Sequence, residues 1–557
     1  MPRVTARLGR RDLGVLLALL LLGVAAPLAM AVAAGAIGVP SNDEWVYAIG
    51  ADSLYRTGTI TMPSHTASAV GQIVLAQPLL WLAGGASWAH SAFGLVMAAI
   101  GIVATYLLAR QYLGWAASAT VAVLVIAFPG FARQSAGFMT DVPTFALTTL
   151  SLLLGVRWLR RGRRAQLVAS LAVGVLAVSV REFAFAAPAA ILVVSWVRSR
   201  PGERAFLLAV SVLAAVAVGA LLMSARSLAL NGGIAPPNLS NLYLMGPALT
   251  TLAAVLLPAT IPAVSRRLDT LSPMHLVIGT GLVVIAFVVP TVGPLVGQFW
   301  TADGLVGNAL LSGQRQPVIG PVAWALSGAL AVVAAALLAT LTARWAQRRL
   351  TGARTLSIVW ARVLETGRLP SAPLLLFLVG YTGELAIIVW MRSYPLDRYL
   401  YPMIPAVAII LLRQTAGRER RGTRPLQSTA LAWLGASAIL ITTNSFAYDA
   451  ARWRAGEAAV ALGYAPATVD AGYDWVGFHS GMHANVTRPA LGVAWYDDMF
   501  MTSPPCAFVS NSPLDYAGFV LIRSDSGAYQ QYLLAGPSQP LYLYGSTASG
   551  CPAPAAP

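Results

Sequence analysis

Charged side chains are scarce in this sequence. Asp, Glu, Lys and Arg together make up 10% of its 557 residues, whereas hydrophobic residues make up 57%. Soluble domains typically carry about 25% charged residues, so the composition excludes an ordinary soluble protein. It predicts a protein with many membrane-spanning helices.

Lysine is absent: all 37 basic residues are arginine, against 21 acidic residues. The net charge of +16 does not predict nucleic-acid binding, because the arginines are spread over many short loops and form no continuous stripe. We interpret the exclusive use of arginine as the coding bias of a GC-rich prokaryote, which predicts a bacterial plasma membrane.

Cysteine is nearly absent too, with only Cys506 and Cys551, both near the end of the chain. In an oxidising compartment these two form a plausible disulfide, and the alternative is two unpaired thiols. The sequence also lacks a Walker loop and a Rossmann fingerprint. His479 and His483 are four residues apart, but the Gly-rich segment around them is typical of a loop. No cofactor is predicted, and no ligand motif supports a divalent metal.

Long apolar windows, each able to cross a hydrocarbon core of about 30 Å, recur from Leu13 to Phe446. They predict about thirteen membrane helices, at 13–37, 90–109, 115–131, 142–157, 166–180, 183–197, 205–225, 245–265, 274–298, 320–343, 372–391, 400–412 and 427–446. Most arginines fall in alternate connections, which predicts that these connections and the amino terminus lie in the cytoplasm. We therefore expect a multi-pass inner-membrane protein with residues 1–446 as the transmembrane module.

Residues 447–557 are a different kind of sequence, with short strand-like runs separated by Gly, Pro, Asn and Ser. They predict a small extracytoplasmic α/β domain. The first outward loop, residues 38–89, is predicted to hold interfacial helices from Glu44 to about Thr57 and from Ala67 to Leu82, with Trp45 on the membrane interface and an Asp52–Arg56 pair. The interleaved basic and apolar stretch 344–370 predicts an amphipathic helix on the inner leaflet.

Three acidic residues draw attention because they follow membrane segments at the same, outward face. Asp43 and Glu44 open the first outward loop, and Asp141 lies in the second. The ordinary explanation is helix capping, by Asp43 at the loop helix and by Asp141 at the membrane helix whose first turn contains Pro143. The alternative is catalysis, for which the two aspartates must converge above the lipid.

Arginines predicted on the same face include Arg56, Arg181, Arg392 and Arg398. A guanidinium group binds phosphate through paired hydrogen bonds, although salt bridging such as Arg181 with Glu182, or Arg398 with Asp397, is the ordinary alternative. A carboxylate beside a bound phosphate suits sugar transfer from a lipid phosphate carrier. The carboxylate would deprotonate an acceptor hydroxyl while cations stabilise the departing lipid phosphate.

Four motifs, in order, resemble the GT-C class of integral-membrane glycosyltransferases. They are "NDEW" after the first helix, "MTDVPTFALTTLSLLLGVRWLRRGRR", "VREFAF" and "DRYLYPMIPAVAIILL". The resemblance covers Leu13 to about Arg413 and points to the protein O-mannosyltransferase-like branch, glycosyltransferase family 39, and to lipid A aminoarabinose transferases. It implies a GT-C-like fold, a polyprenyl-phosphate sugar as donor, and an active site between the first outward loop and the membrane.

At matching positions, the resemblance implies Asp43 as general base, Glu44 as its neighbour in an acidic pair and Asp141 as the second-loop acid. Arg181 and Arg398 would be candidates for contacting the carrier phosphate or for packing beneath it.

Arg56 and Arg392 are further candidates for the phosphate. Glu384 would face the same cavity or, alternatively, act as a buried partner for Arg392 or a tyrosine. The β-trefoil insertion of eukaryotic O-mannosyltransferases is missing from the sequence. The acceptor, an envelope glycan, lipid or protein, is therefore not implied.

Two other functions compete with sugar transfer. One is a transporter or flippase of a lipid-linked sugar, and the other is a non-catalytic membrane protein whose tail binds an envelope polymer. Internal repeats and helices broken in mid-membrane would favour transport. The sequence shows no such repeat, and its acidic residues cluster at the predicted outer boundary.

Overall fold

The computed structural model describes residues 9–62, 69–228, 238–267, 272–288, 295, 297–304, 310–350, 369–392, 395–414, 422–480 and 494–553. These residues are mostly helical. The α-helices of nine or more residues are Arg10–Leu20, Ala26–Ala34, Glu44–Thr57, Val70–Leu82, Trp88–Ala109, Trp115–Ile126, Asp141–Arg161, Arg164–Val180, Ala186–Arg198, Arg204–Leu228, Met245–Ser265, Pro273–Val288, Pro321–Leu350, Ala372–Arg392, Met403–Arg413 and Thr423–Ala461. A π-helical turn, Leu21–Ala25, joins the first two helices into one rod.

Eight of the described helices are long and apolar enough to cross a membrane. They are Arg10–Ala34, Trp88–Ala109, Asp141–Arg161, Pro201–Leu221, Asn241–Ser265, Pro321–Arg348, Ala372–Met391 and Thr423–Ala461. Four shorter apolar helices accompany them, at Val70–Leu82, Trp115–Ile126, Arg164–Val180 and Met403–Arg413. The predicted class, a polytopic helical membrane protein with a small carboxy-terminal α/β part, is confirmed. The predicted number of thirteen spans is not.

The first loop forms the predicted helix at Glu44–Thr57, called the loop helix below. It begins after Asn42, whose φ of 52° lies in the left-handed region that asparagine tolerates, and it ends at Gly58, with a φ of 74°. The second predicted loop segment forms the Val70–Leu82 helix, and residues 63–68 lie outside the described part of the chain. Much of the predicted inner-leaflet stretch, residues 351–368, lies outside it too.

Trp45 of the loop helix does not rest on the membrane interface as predicted. Its side chain is buried, because it packs edge-on against Tyr473 and Phe500 with ring centroids 6.2 and 5.2 Å away. The carboxy-terminal part therefore covers the start of the loop helix.

Two glycines bring the Trp88–Ala109 helix close to the Asp141–Arg161 helix. A Cβ atom added at Gly94 would lie 2.2 Å from the carbonyl oxygen of Gly137, and one added at Gly101 would lie 2.5 Å from the Phe145 ring. Any side chain at these positions would push the two segments apart. This packing holds the segment on either side of Asp141 against the Trp88–Ala109 helix.

The Thr423–Ala461 helix connects the membrane part to the carboxy-terminal part without a break. Its 39 residues correspond to a length of about 58 Å. The predicted domain boundary at residue 446 falls inside this helix. Beyond it, Tyr448, Ala451 and Ala455 belong to the hydrophobic core of the carboxy-terminal part.

The described residues of the carboxy-terminal part contain six short strands: β1 (Val469–Asp470), β2 (Ala507–Ser510), β3 (Phe519–Arg523), β4 (Tyr529–Gln530), β5 (Ser538–Gln539) and β6 (Tyr542–Ser546). The main sheet has the order β1-β2-β6-β3, with β1 parallel to β2 and the other neighbours antiparallel. A disulfide joins Cys506, just before β2, to Cys551, just after β6. It ties together the two central strands of the sheet.

Candidate functional site

Asp43 lies directly before the loop helix, but its side chain does not cap that helix. Oδ2 of Asp43 accepts a hydrogen bond of 3.1 Å from Nη2 of Arg398, and Oδ1 accepts one of 2.9 Å from the hydroxyl of Tyr473. The Asp43 side chain remains 25% exposed. Capping therefore does not account for this carboxylate, which has two distant partners and one accessible side.

Asp141, the first residue of its helix, is buried and likewise makes no side-chain capping bond. It accepts a hydrogen bond of 2.5 Å from Nη1 of Arg181 and lies 3.6 Å from Nε of Arg398. Arg398 thus contacts both aspartates. Asp43, Arg398, Asp141 and Arg181 form a continuous chain of alternating charges, called the Asp–Arg quartet below.

The position of Arg398 is fixed by its neighbour in the short 3₁₀ turn Asp397–Leu400. The Asp397 carboxylate accepts hydrogen bonds of 2.8 to 3.1 Å from the backbone N–H groups of residues 298–300, and one from the N–H of Arg398. Burial raises the pKa of Asp397, although these four donors oppose the rise. Asp397 therefore anchors the turn, and the Arg398 guanidinium is directed at the two aspartates of the quartet.

Arg181 stands where the Arg164–Val180 helix ends and the backbone becomes extended. Its guanidinium lies over the rings of Tyr399 and Phe183, 4.6 and 5.1 Å from the ring centroids. Burial lowers the pKa of Arg181, but Asp141, Tyr399 and Tyr47 together more than compensate, so the net shift is upward. The side chain is a permanently charged group held on an aromatic surface.

Glu44 does not join the quartet, although the sequence pairs it with Asp43. Its Oε2 accepts a hydrogen bond of 3.2 Å from the N–H of Ser41, and its Oε1 lies 3.6 Å from Nη1 of Arg133. Burial raises the pKa of Glu44 to about 7, with the charge of Arg133 opposing that shift. Its surroundings are those of a buried structural carboxyl group.

A second buried network starts at Glu44 and Arg133. Nε of Arg133 donates to Asp449, Nη2 of Arg452 donates to the other oxygen of Asp449, and each of these bonds is 2.9 Å. Arg452 also donates to both oxygens of Asp474, at 2.7 and 3.1 Å. We call this the Glu44–Asp474 network. The network connects Glu44, the residue after Asp43, to Asp474, the residue after Tyr473. The first loop and the carboxy-terminal part are therefore joined both by the Asp43–Tyr473 hydrogen bond and by this network.

Arg56 lies apart from the quartet. It is exposed in the last turn of the loop helix, about 20 Å along the helix axis from Asp43. Its predicted partner Asp52 lies instead 3.2 Å from Nε2 of His90. Neither observation supports a role for Arg56 at the quartet.

Other predicted residues have different surroundings. The side chain of Arg392 and all of His483 lie outside the described residues. Glu384 lies in the Ala372–Arg392 helix and is only partly exposed. His479 packs against Trp475 with ring centroids 4.3 Å apart and the ring planes tilted by 46°, and burial lowers its pKa.

Sequence reasoning did not identify Tyr473. The only local signal was the density of aromatic and acidic residues in "VDAGYDWVGFHSG", which by itself gives no partner. Burial and the charge of Asp43 raise the pKa of Tyr473 well above its usual value, so its hydroxyl stays protonated and donates to Asp43. The tyrosine is a component of the site that the carboxy-terminal part supplies.

Within the part of the chain that the structure describes, no three His, Cys, Asp or Glu side chains are grouped to hold a metal ion. Arg398 contacts both Asp43 and Asp141, where a metal ion bound between the two carboxylates would meet its positive charge.

A comparison with models of known protein families gives a match over part of the chain. Residues 74–228 match the model of dolichyl-phosphate-mannose-protein mannosyltransferases. This segment contains Asp141 and Arg181 of the quartet. No curated protein sequence matches the chain.

Several solved structures are distantly similar. ArnT from Cupriavidus metallidurans, bound to undecaprenyl phosphate, is 14% identical with a TM-score of 0.41, over 95% of this chain and 98% of that one. The same protein in the apo state is 16% identical with a TM-score of 0.38, over 86% and 84%. The apo oligosaccharyltransferase of Archaeoglobus fulgidus is 16% identical with a TM-score of 0.42, over 80% of this chain and 58% of that one. The resemblance to GT-C membrane glycosyltransferases that the motifs indicated is confirmed, in sequence, by the mannosyltransferase family model over residues 74–228.

Proposed function

We propose that the protein transfers a sugar from a polyprenyl-phosphate donor to an acceptor hydroxyl at the outer face of the plasma membrane. Asp43 is the general base: it takes the proton of the acceptor hydroxyl as the oxygen attacks the anomeric carbon. The bond from that carbon to the phosphate oxygen breaks, and the lipid phosphate leaves with the bonding electrons. The transfer needs no soluble nucleotide.

The Asp–Arg quartet is the observation that carries this proposal. It joins residues of four separate segments, and Asp43 is its accessible member, with the other carboxylate, Asp141, buried. A general base must reach a hydroxyl group that arrives from solvent, whereas Asp141 can orient the two arginines. The mannosyltransferase family match, which includes Asp141 and Arg181, supports the same chemistry.

The two arginines suit the phosphate of the donor. Guanidinium groups hold phosphate through charge-assisted hydrogen bonds and stabilise the negative charge that develops on a leaving phosphate. Nε of Arg181 is buried and has no hydrogen-bond partner among the described residues. Because an unsatisfied buried donor is costly, this N–H favours a bound anion beside the quartet.

The arginine distribution supports an outward site. The Asp141–Arg161 helix carries Asp141 at its first residue and Arg160 and Arg161 at its last. Its 21 residues place these ends about 30 Å apart, the thickness of a hydrocarbon core. If the arginine-rich end faces the cytoplasm, as such segments do, then the quartet faces outward.

The test compares wild type, Asp43→Asn and Asp52→Asn, each reconstituted in lipid nanodiscs. Radiolabelled polyprenyl-phospho-sugars are supplied together with cell-envelope fractions, and both transfer and donor binding are measured. We expect Asp43→Asn to lose about 100-fold or more of the transfer rate, the usual contribution of a general base, while it still binds the donor. Asp52→Asn, in the same helix, should retain the wild-type rate.

Full transfer by Asp43→Asn would refute the assignment of Asp43 as general base. Movement of the donor across the bilayer without sugar transfer would indicate a flippase.

A further inference from the structure

Trp495 presents a large apolar ring to solvent beside the candidate site. Its side chain is 56% exposed, whereas Tyr496 and Phe500, in the same aromatic group, are buried. Exposure of a single aromatic residue is common and needs no explanation by itself. Its fixed orientation and its neighbours distinguish Trp495.

Hydrogen bonds of the residues before and after Trp495 hold the turn that carries it. Asp497 accepts a hydrogen bond of 3.0 Å from the N–H of Ala494 and returns one of 3.1 Å from its own N–H to the carbonyl of Ala494. The buried hydroxyl of Tyr496 donates to the carbonyl of Leu310 at 2.9 Å and lies 3.1 Å from the Asp470 carboxylate. With Tyr496 anchored inward, Trp495 is directed outward on a rigid support.

The ring of Trp495 is two contacts away from Asp43. It stacks on Tyr473 with an angle of 23° between the ring planes and 5.6 Å between centroids. The hydroxyl of the same tyrosine donates to Oδ1 of Asp43. An exposed aromatic surface and the proposed general base are therefore parts of one connected structure.

We propose that Trp495, supported by Tyr473, is a stacking platform for a sugar ring of the acceptor, so that the acceptor of the proposed transfer is a glycan. The C–H groups on one face of a sugar ring carry partial positive charge, and the face of an aromatic ring is negative. Stacking on Trp495 would leave the edge hydroxyl groups of that sugar free, and one of them would reach Asp43. This inference rests on the proposed function and specifies its acceptor.

Two other occupants fit the surface less well. A bilayer would bring Asp43 close to hydrocarbon, where a charged side chain is costly. A peptide would be recognised through an added strand or an apolar groove. The elements that carry Trp495 and Tyr473 are a turn and the short Tyr473–His479 helix, which offer no strand edge.

The experiment measures binding and transfer separately. Protein in lipid nanodiscs, used because sugar detergents would compete, is titrated by saturation-transfer NMR with mannotetraose, arabinotetraose and chitotetraose. The variants are Trp495→Ala, Trp495→Phe and, as a matched control, Trp81→Ala at another exposed tryptophan. We expect at least one oligosaccharide to bind wild type and Trp81→Ala, with about tenfold weaker binding to Trp495→Ala, as expected for one aromatic contact, and near-complete recovery in Trp495→Phe.

In the transfer assay, Trp495→Ala should raise the KM for a glycan acceptor by a similar factor. Asp43→Asn should still bind the oligosaccharide, so full transfer by this variant, together with sugar binding that depends on Trp495, would overturn the proposed function alone. Unchanged oligosaccharide binding in Trp495→Ala, or no binding of any oligosaccharide to wild type, would overturn the platform. Loss of peptide binding or of nanodisc-lipid contact in Trp495→Ala, with sugar binding intact, would also overturn it. Thermal unfolding of each variant shows whether it is folded. If Trp495→Ala does not fold, oligosaccharide binding is compared between Trp495→Phe and wild type instead.

Discussion

Tyr473 donates a hydrogen bond of 2.9 Å to Asp43, which lies 430 positions earlier in the chain. Since the Glu44–Asp474 network connects the next residue of each segment, the backbone cannot shift at one segment without moving the other. The carboxy-terminal part therefore contributes directly to the candidate site. A protein truncated after the last membrane helix would lose Tyr473, a hydrogen-bond partner of Asp43.

Gly477 determines how closely the carboxy-terminal part approaches the loop helix. A Cβ atom at this position would lie 2.3 Å from the Trp45 ring, a distance that requires the two elements to separate. We predict that Gly477→Ala displaces Tyr473 from Asp43 and lowers the transfer rate while the membrane part stays folded. Transfer assays, with unfolding followed by intrinsic fluorescence, would measure both effects.

The matched control is Gly435→Ala, in the middle of the Thr423–Ala461 helix, where a Cβ atom meets nothing within 4 Å. Alanine favours a helix over glycine by about 1 kcal/mol, so this variant should be active and at least as stable as wild type. Equal activity of the two glycine variants would show that docking of the carboxy-terminal part does not matter for transfer.

Arg398 tests whether the quartet depends on the shape of guanidinium or only on its charge. Lysine keeps the positive charge, but its single ammonium group cannot reproduce the fork that reaches both Asp43 and Asp141. Loss of one charged hydrogen bond typically costs about 1.5–3 kcal/mol, so Arg398→Lys should lose about 10- to 100-fold in transfer rate. Donor binding should weaken as well. Arg56→Lys, at an exposed position far from the quartet, should behave as wild type, and wild-type transfer by Arg398→Lys would exclude a bridging role.

Much of the membrane part follows from the sequence, because apolar runs in a bilayer must form helices to satisfy their backbone polar groups. Among the described residues a helix lies within each predicted range, although the one predicted at 274–298 ends at Val288, and the loop helix has its predicted limits, Glu44–Thr57. The approach of Asp43 to Asp141 was also an expectation, based on their shared membrane face. Their catalytic roles remain a prediction.

Contacts between segments far apart in the sequence could not be predicted from apolar runs, as the helices were. Glu44 follows Asp43 directly, yet a helical turn of 100° per residue points adjacent side chains in different directions, and Glu44 is directed at Arg133. The partners of Tyr473 and Trp45 depend on how the carboxy-terminal part folds back onto the first loop. No local pattern in a single sequence encodes that placement.

The disulfide between Cys506 and Cys551 should stabilise the carboxy-terminal part. It closes a loop with a sequence separation of 45, for which the loss of chain entropy in the unfolded state amounts to about 4 kcal/mol. We predict that Cys506→Ser and Cys551→Ser lower the unfolding temperature of this part equally, since either change removes the same bond. Limited proteolysis of wild type with and without a reductant would measure the effect. A reductant that leaves the proteolysis rate unchanged would contradict it.

Glu44 should give the stability a specific pH dependence. Its pKa in the folded protein, about 7, lies above the ordinary value of 4.5, because burial disfavours the ionised form. Its stabilising contribution is therefore complete below about pH 4.5 and is lost as the pH rises through 7, by up to about 3 kcal/mol. Glu44→Gln cannot ionise, so its unfolding temperature relative to wild type should rise between pH 5 and pH 8. A difference between Glu44→Gln and wild type that stays constant with pH would mean that Glu44 does not titrate in this range in the folded protein.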